Sequence, residues 1–140
     1  MAKGFGGRGG MGGMVTARYL KQLGHEPEIF ETSDSLGGQF VLAGRAPHKE
    51  EILEADIWEQ KAILGMGIPV HLNTTVTPEL ITKLKPDAVI CAIGAVPLMP
   101  NIPGRDLPNV CNAHEVLAGD VTPSGNVVVI GGASVGVEVA

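Results

Sequence analysis

Cysteine is scarce in this chain. Only Cys91 and Cys111 occur, with 19 residues between them and outside any C-x-x-C spacing, so neither a metal site nor a disulfide framework is signalled, and reduced thiols of a cytosolic protein are the plain reading. Bases are also few: 10 Lys and Arg stand against 15 Asp and Glu, giving a formal charge of -5 and a pI near 5.3. A phosphate-binding basic face is therefore missing, which excludes nucleic acid as a partner. No run of 18 apolar residues exists, and the first residues lack the charged-then-apolar order of a secretory signal. Neither a membrane span nor export is expected, and the location read from the sequence is cytoplasmic. His25, His48, His71 and His114 share no i, i+4 spacing, so they read as surface or capping residues and none as a metal ligand.

Glycine and proline are plentiful, at 20 and 10 of 140 residues, while aromatic residues supply only 4%. With 44% hydrophobic residues and a mean hydropathy of +0.22, a chain of this length affords one domain with a sizeable core. Seven glycines lie between Gly4 and Gly13, and most others follow apolar runs, the pattern of backbone bends at strand ends. Val15, Tyr19 and Leu23 at four-residue spacing, with Gly24 after them, predict a helix over 13–23. Pro27 to Phe30 then reads as a buried strand ending at Glu31, and Thr32 to Pro47 as an ordered loop. Lys49 to Met66 predicts an amphipathic helix whose Glu50, Glu51 and Glu54 form a solvated face, with Trp58 as a packing residue. Ile68 to Leu72 is a further strand. Thr77 as N-cap and Pro78 at the first helical position predict a short helix to Leu84. Ala88 to Ile93, stopped by Gly94, reads as a central strand buried on both faces, with Cys91 a buried, inert thiol. His114 to Ala118 is a helical turn and Asn126 to Ile130 another buried strand. Strands alternating with helices imply an α/β fold on a parallel or mixed sheet.

Dinucleotides bind where a strand turns sharply into a helix, because free amides and the positive helix end stabilise the diphosphate, and glycine lets the backbone approach it. The pattern G-x-G-x-x-G fits here as Gly4, Gly6, Gly9 or as Gly7, Gly9, Gly12, while Gly10 and Gly13 fit a third frame with Arg8 at the first position. Glu31 follows Gly12 by 19 residues, near the spacing of the acid that holds ribose hydroxyls. Against this, MAKGF offers no apolar strand before the glycines, so the first strand is expected to be absent. GFGGRGGMGG also reads as a low-complexity leader. A second strand-and-glycine signal, VVVIGGASVGVEVA, carries Gly131, Ala133 in place of a middle glycine, and Gly136. Its Val127 to Ile130 strand is expected to fill the empty place beside Phe5.

Taken together, GHEPEIFE, LGGQF, APHKEEI, NTTVTPEL, DAVICAIGAVPLMPNIPG and VVVIGGASVGVEVA resemble the FAD- and NAD(P)-binding C-terminal portion of NADH:flavin oxidoreductases related to 2,4-dienoyl-CoA reductase, enoate reductase and trimethylamine dehydrogenase. The resemblance implies a truncated Rossmann-like FAD/NAD(P)-binding domain with a parallel central sheet. Residues 1–122 would form an incomplete FAD-type domain, and residues 123–140 the first strand and glycine loop of a NAD(P)-binding domain. It implies FAD contacts at Gly10, Gly12, Gly13, Glu31, Gly38, Gln39, Val76, Ala92, Ile93 and Gly94, with Ile93 and Arg8 departing from the family's usual threonine and glycine. The nicotinamide cofactor would meet Gly131, Ala133, Ser134 and Gly136.

Partners implied are FAD, a nicotinamide nucleotide and the remaining domains of a parent enzyme, a barrel with FMN and an iron-sulfur cluster; neither fits in 140 residues with two isolated cysteines. The chain alone is expected to be inactive, and self-association is expected from an unfilled sheet edge. No catalytic side chain is implied, since hydride chemistry belongs to the cofactors. A non-catalytic adenine-nucleotide-binding module, or a folded chain without ligand, is the competing reading.

Overall fold

The computed structural model describes residues 4–7 and 9–140. Along the chain lie β1 (Gly4–Gly7), α1 (Met11–Gln22), β2 (Glu28–Phe30), α2 (Gln39–Gly44), α3 (Glu50–Gly65), β3 (Val70–His71), α4 (Pro78–Leu84), β4 (Ala88–Ile90), α5 (Ala113–Ala118) and α6 (Ser134–Val139). The strands form one sheet in the order β3-β2-β1-β4, every pairing parallel. This is the Rossmann-like α/β order, in which ligands sit outside the carboxyl ends of the strands where the winding reverses.

The expected absence of a first strand is overturned. GFGG is β1, and it lies inside the sheet with Phe5 opposite Glu28 on one side and Val89 on the other. Main-chain ladders on both flanks hold a segment whose glycines give no side-chain period. Arg8 lies outside the described residues.

Helix α1 begins two residues earlier than predicted, with Gly10 as an extended N-cap (φ -74°), and it ends before Gly24, whose φ of +85° suits glycine. Met14 and Ala17 face inward and meet Ile29, Ile63 and Ile68, so the core lies between α1, β2 and α3. Arg18 of α1 reaches across to Glu59 of α3 at 2.7 Å, a largely buried ion pair. Thr77 caps α4 as expected, its hydroxyl accepting from the Leu80 amide at 3.3 Å.

Four expectations change. The Thr32 to Pro47 loop contains α2, whose apolar QFVLAG packs on α3 between flanking Gly, Ser and Pro residues. The DAVICAIG strand pairs only over Ala88 to Ile90 and is an outer strand, because β1 is its one neighbour among the described residues; Val89 is 42% exposed and Cys91 is exposed. Trp58 is exposed as well, and the Arg18 guanidinium lies over its ring at 5.3 Å. Finally, residues 126–130 form no strand and are exposed. The place beside Phe5 is already taken on both sides by β2 and β4, so Val127 to Ile130 find no ladder there.

Candidate functional site

The carboxyl ends of the four strands carry the candidate residues. At the end of β2, the Glu31 side chain is buried at 3% exposure. One of its oxygens accepts from the Gly9 amide, and the other accepts from the amide and the hydroxyl of Ser33, each at 2.7 Å. A carboxylate offers about four lone-pair directions. Three are filled from the protein, which leaves one. The backbone of Glu31 is fixed too, its amide donating to the His71 carbonyl and its carbonyl accepting from Thr74, at 2.9 and 2.8 Å.

Of the alternative glycine frames, the structure favours the one with Gly10 and Gly13, since Gly10 is the N-cap of α1 and Gly13 is buried on its inner side. Gly7 closes β1 and the helix starts at Met11, whereas the Gly4 frame would place the turn inside the strand. A Cβ on Gly9 would stand 2.1 Å from the Leu36 side chain, so the backbone packs tightly there. Gly12 is exposed, and a Cβ on it would meet nothing within 4 Å, leaving the outer side of the turn open. Gly13 is buried on the inner side of α1. The first helical bond runs from the Met14 amide to the Gly10 carbonyl, so the amides before it have no helical acceptor and face the site at the positive helix end.

The LGGQ segment docks on this turn. Gly37 donates to the Gly9 carbonyl at 2.8 Å, and a Cβ on Gly38 would stand 3.4 Å from the Gly10 Cα. Gly37 has φ +102° and Gly38 φ +54°, left-handed values that favour glycine. Gln39 then donates its side-chain amide to the Ala95 carbonyl. Beyond it an open cleft of about 460 Å³ is lined by Phe30, Thr32, Thr74, Thr75, Val76 and the 93–96 turn. The Phe30 ring stacks on His71 with centroids 4.4 Å apart. A flat, mostly apolar cleft edged by hydroxyls suits an aromatic ring with a few polar atoms.

Gly10, Gly12, Glu31, Gly38, Gln39, Val76, Ile93 and Gly94 are thus brought to one edge of the sheet; Ala92 adjoins the cleft without lining it. The second glycine turn is elsewhere. Gly131, with φ +112°, turns the chain into α6, and a Cβ on Gly136 would strike the Gly131 carbonyl at 1.8 Å. Ala133 is the N-cap of α6 and Ser134 its first residue. The turn has the close helix packing of a dinucleotide loop without the strand that should precede it. Gly9, Ser33 and Gly37 were missed as site residues by the sequence reading; the glycine frame contained Gly9, and LGGQF contained Gly37.

A family model described as pyridine nucleotide-disulphide oxidoreductase matches residues 9–140. The chain belongs to the pyridine nucleotide-disulphide oxidoreductase family. Among its curated relatives, a bilirubin reductase of Mediterraneibacter gnavus is 39% identical over 94% of this chain and 21% of that protein. An NADH oxidase of Thermoanaerobacter brockii is 38% identical over 94% of this chain and 21% of that protein. Among solved structures, a 2-naphthoyl-CoA reductase in complex with 2-naphthoyl-CoA superposes with a TM-score of 0.93 at 33% identity, over 99% of this chain and 21% of that one. The chain spans about a fifth of the length of these relatives. The likeness to flavin oxidoreductases drawn from the motifs holds, and so does the dinucleotide-binding Rossmann-like fold of this pyridine nucleotide-disulphide oxidoreductase. Among the described residues no helix is long and apolar enough to cross a membrane.

Proposed function

We propose that this chain is part of a flavin-dependent NAD(P)H oxidoreductase, in which it binds FAD at the first glycine turn and carries the turn for the nicotinamide nucleotide at Gly131 to Gly136. The observation that carries the FAD site is the Glu31 carboxylate held against the Gly9 amide with one acceptor direction free. In this reading the amides at the start of α1, with Gly10, Gly12 and Gly13, take the diphosphate. Glu31 accepts a ribose hydroxyl. Gly38 and Gln39 run along the cofactor, and Val76 with Ala92, Ile93 and Gly94 sits beside the ring in the cleft. The residues fit such a group, since the open face of Gly12 leaves room where a bulkier approach is needed.

FAD supplies the two-electron chemistry once bound, and the residues of this chain bind and orient it. Likeness to an NADH oxidase and to reductases supports NAD(P)H as donor and oxidoreduction as the activity of the whole protein. Gly131, Ala133, Ser134 and Gly136 would hold that donor's diphosphate. The remaining domains of the parent enzyme are its proposed partners.

Titration of the purified chain with FAD, followed by flavin fluorescence, tests the FAD site. Saturable quenching, competed by ADP and weakened at least tenfold in Glu31→Ala, is expected. A colourless protein with no response to FAD would support the ligand-free reading.

A further inference from the structure

Asp56 breaks the pattern of solvated acids on α3. It is 2% exposed. Its Oδ2 accepts from the Gln60 side-chain amide at 2.6 Å, and its Oδ1 is buried with no hydrogen-bond partner among the described residues. The carboxyl lies directly behind the LGGQ turn, because a Cβ on Gly37 would stand 2.7 and 2.9 Å from its two oxygens. No ion pair joins it to a cation among the described residues, and the neighbouring charges are engaged elsewhere. On α1, Arg18 pairs with Glu59 of α3 and Lys21 with Glu26. Helix α2 carries no charged side chain, and Arg45 after it donates to the Leu117 and Ala118 carbonyls at the end of α5. Glu31, across the turn, is bound to Gly9 and Ser33.

A carboxylate buried with a bare oxygen and no cation is costly, and the neutral acid is the cheaper occupant. Burial pushes the Asp56 carboxyl above the usual carboxylate range, opposed by the smaller effect of the Gln60 amide. We propose that Asp56 is a positioning residue that supports the Gly37–Gly38 turn from behind and takes up a proton when an anionic dinucleotide occupies the turns in front. This rests on the FAD reading above. The diphosphate adds negative charge near Gly10 and Gly38, and like charge disfavours the carboxylate form. The bound state then holds the proton more tightly than the free state. Affinity is therefore full at low pH, where both states are protonated, and falls as pH rises through the Asp56 range, by up to about tenfold per pH unit.

The test is FAD binding to the full chain and to D56N between about pH 4 and pH 8, a window that spans the ordinary and raised carboxylate ranges. Calorimetry in buffers of different ionisation enthalpy counts the protons taken up. Expected is a falling affinity and proton uptake in the wild type, both absent in D56N, which binds at least as tightly at the high end. A flat wild-type profile, or D56N with the wild-type slope, overturns the role of Asp56 while leaving the FAD site standing. No binding by either protein at any pH overturns the FAD site itself, and the proposal with it. Should D56N not fold, the infrared C=O stretch of a protonated acid in wild-type protein with 13C-labelled aspartate decides. Growth of that band on adding FAD supports the proposal, and its absence overturns it.

Discussion

Residues 9–68 and residues 69–140 are built from similarly apolar sequence and end up differently packed. Every described residue that is buried lies at or before Ile68. Beyond it, Val127 to Ile130 and the β4 segment stay open to solvent, with Val128 at 85% exposure. The first region wraps α1 and α3 around β2, so each apolar face finds a cover; the second has short elements and edges that nothing among the described residues covers. An apolar run states that a segment needs a cover, and leaves open which one. The candidate site straddles the divide. Its proposed diphosphate and ribose end, from Gly9 to Gly38, is fixed in the packed region, while Thr74 to Val76 and the 93–96 turn belong to the open one.

The widest contrast should come from truncation. Met14 is fully buried and Val128 largely exposed, so Met14→Ala is expected to cost about 2–5 kcal/mol and Val128→Ala less than about 0.5 kcal/mol, measured by urea denaturation. Equal losses would erase the distinction between the regions. Glu31→Ala leaves the buried Gly9 amide unpaired, a cost of about 1–3 kcal/mol in the same assay, together with the loss of FAD affinity. Asp56→Asn acts within the packed region and with a definite sign. Because the folded-state pKa of Asp56 is raised, its contribution is fully present below the unfolded carboxylate pKa and lost as pH rises through the folded value. The variant should therefore be the more stable protein at neutral pH, with the gap closing on acidification toward about pH 4; a gap that ignores pH would refute the buried acid. A local effect is expected in the open region: Asn112→Ala removes the capping box of α5, about 1 kcal/mol, read as faster amide exchange in α5 alone.

Much of the packed region was legible in the residues. Glycine spacing, the helix after it and the acid at the end of the next strand share one spacing logic, and Glu31 does lie against the Gly9 turn. What failed had no side-chain signal. GFGG is a strand held by main-chain ladders, invisible to hydrophobic periodicity. VVVI reads as a buried strand because apolar runs in parallel sheets look that way, yet here no neighbour pairs with it. Asp56 was indistinguishable from Glu50, Glu51 and Glu54 because its burial comes from Gly37, distant in sequence, folding over it. Trp58 and Cys91 were expected inside for their side-chain type, and their faces proved uncovered.

Amide chemical shifts of Gly9, Gly10, Gly12 and Gly13 during an FAD titration bear on the diphosphate seat with least inference. Saturable shifts at these glycines, with slowed exchange at the amides before Met14, are the expected outcome. Unchanged signals there while FAD binds elsewhere on the chain would contradict the assignment of the first turn.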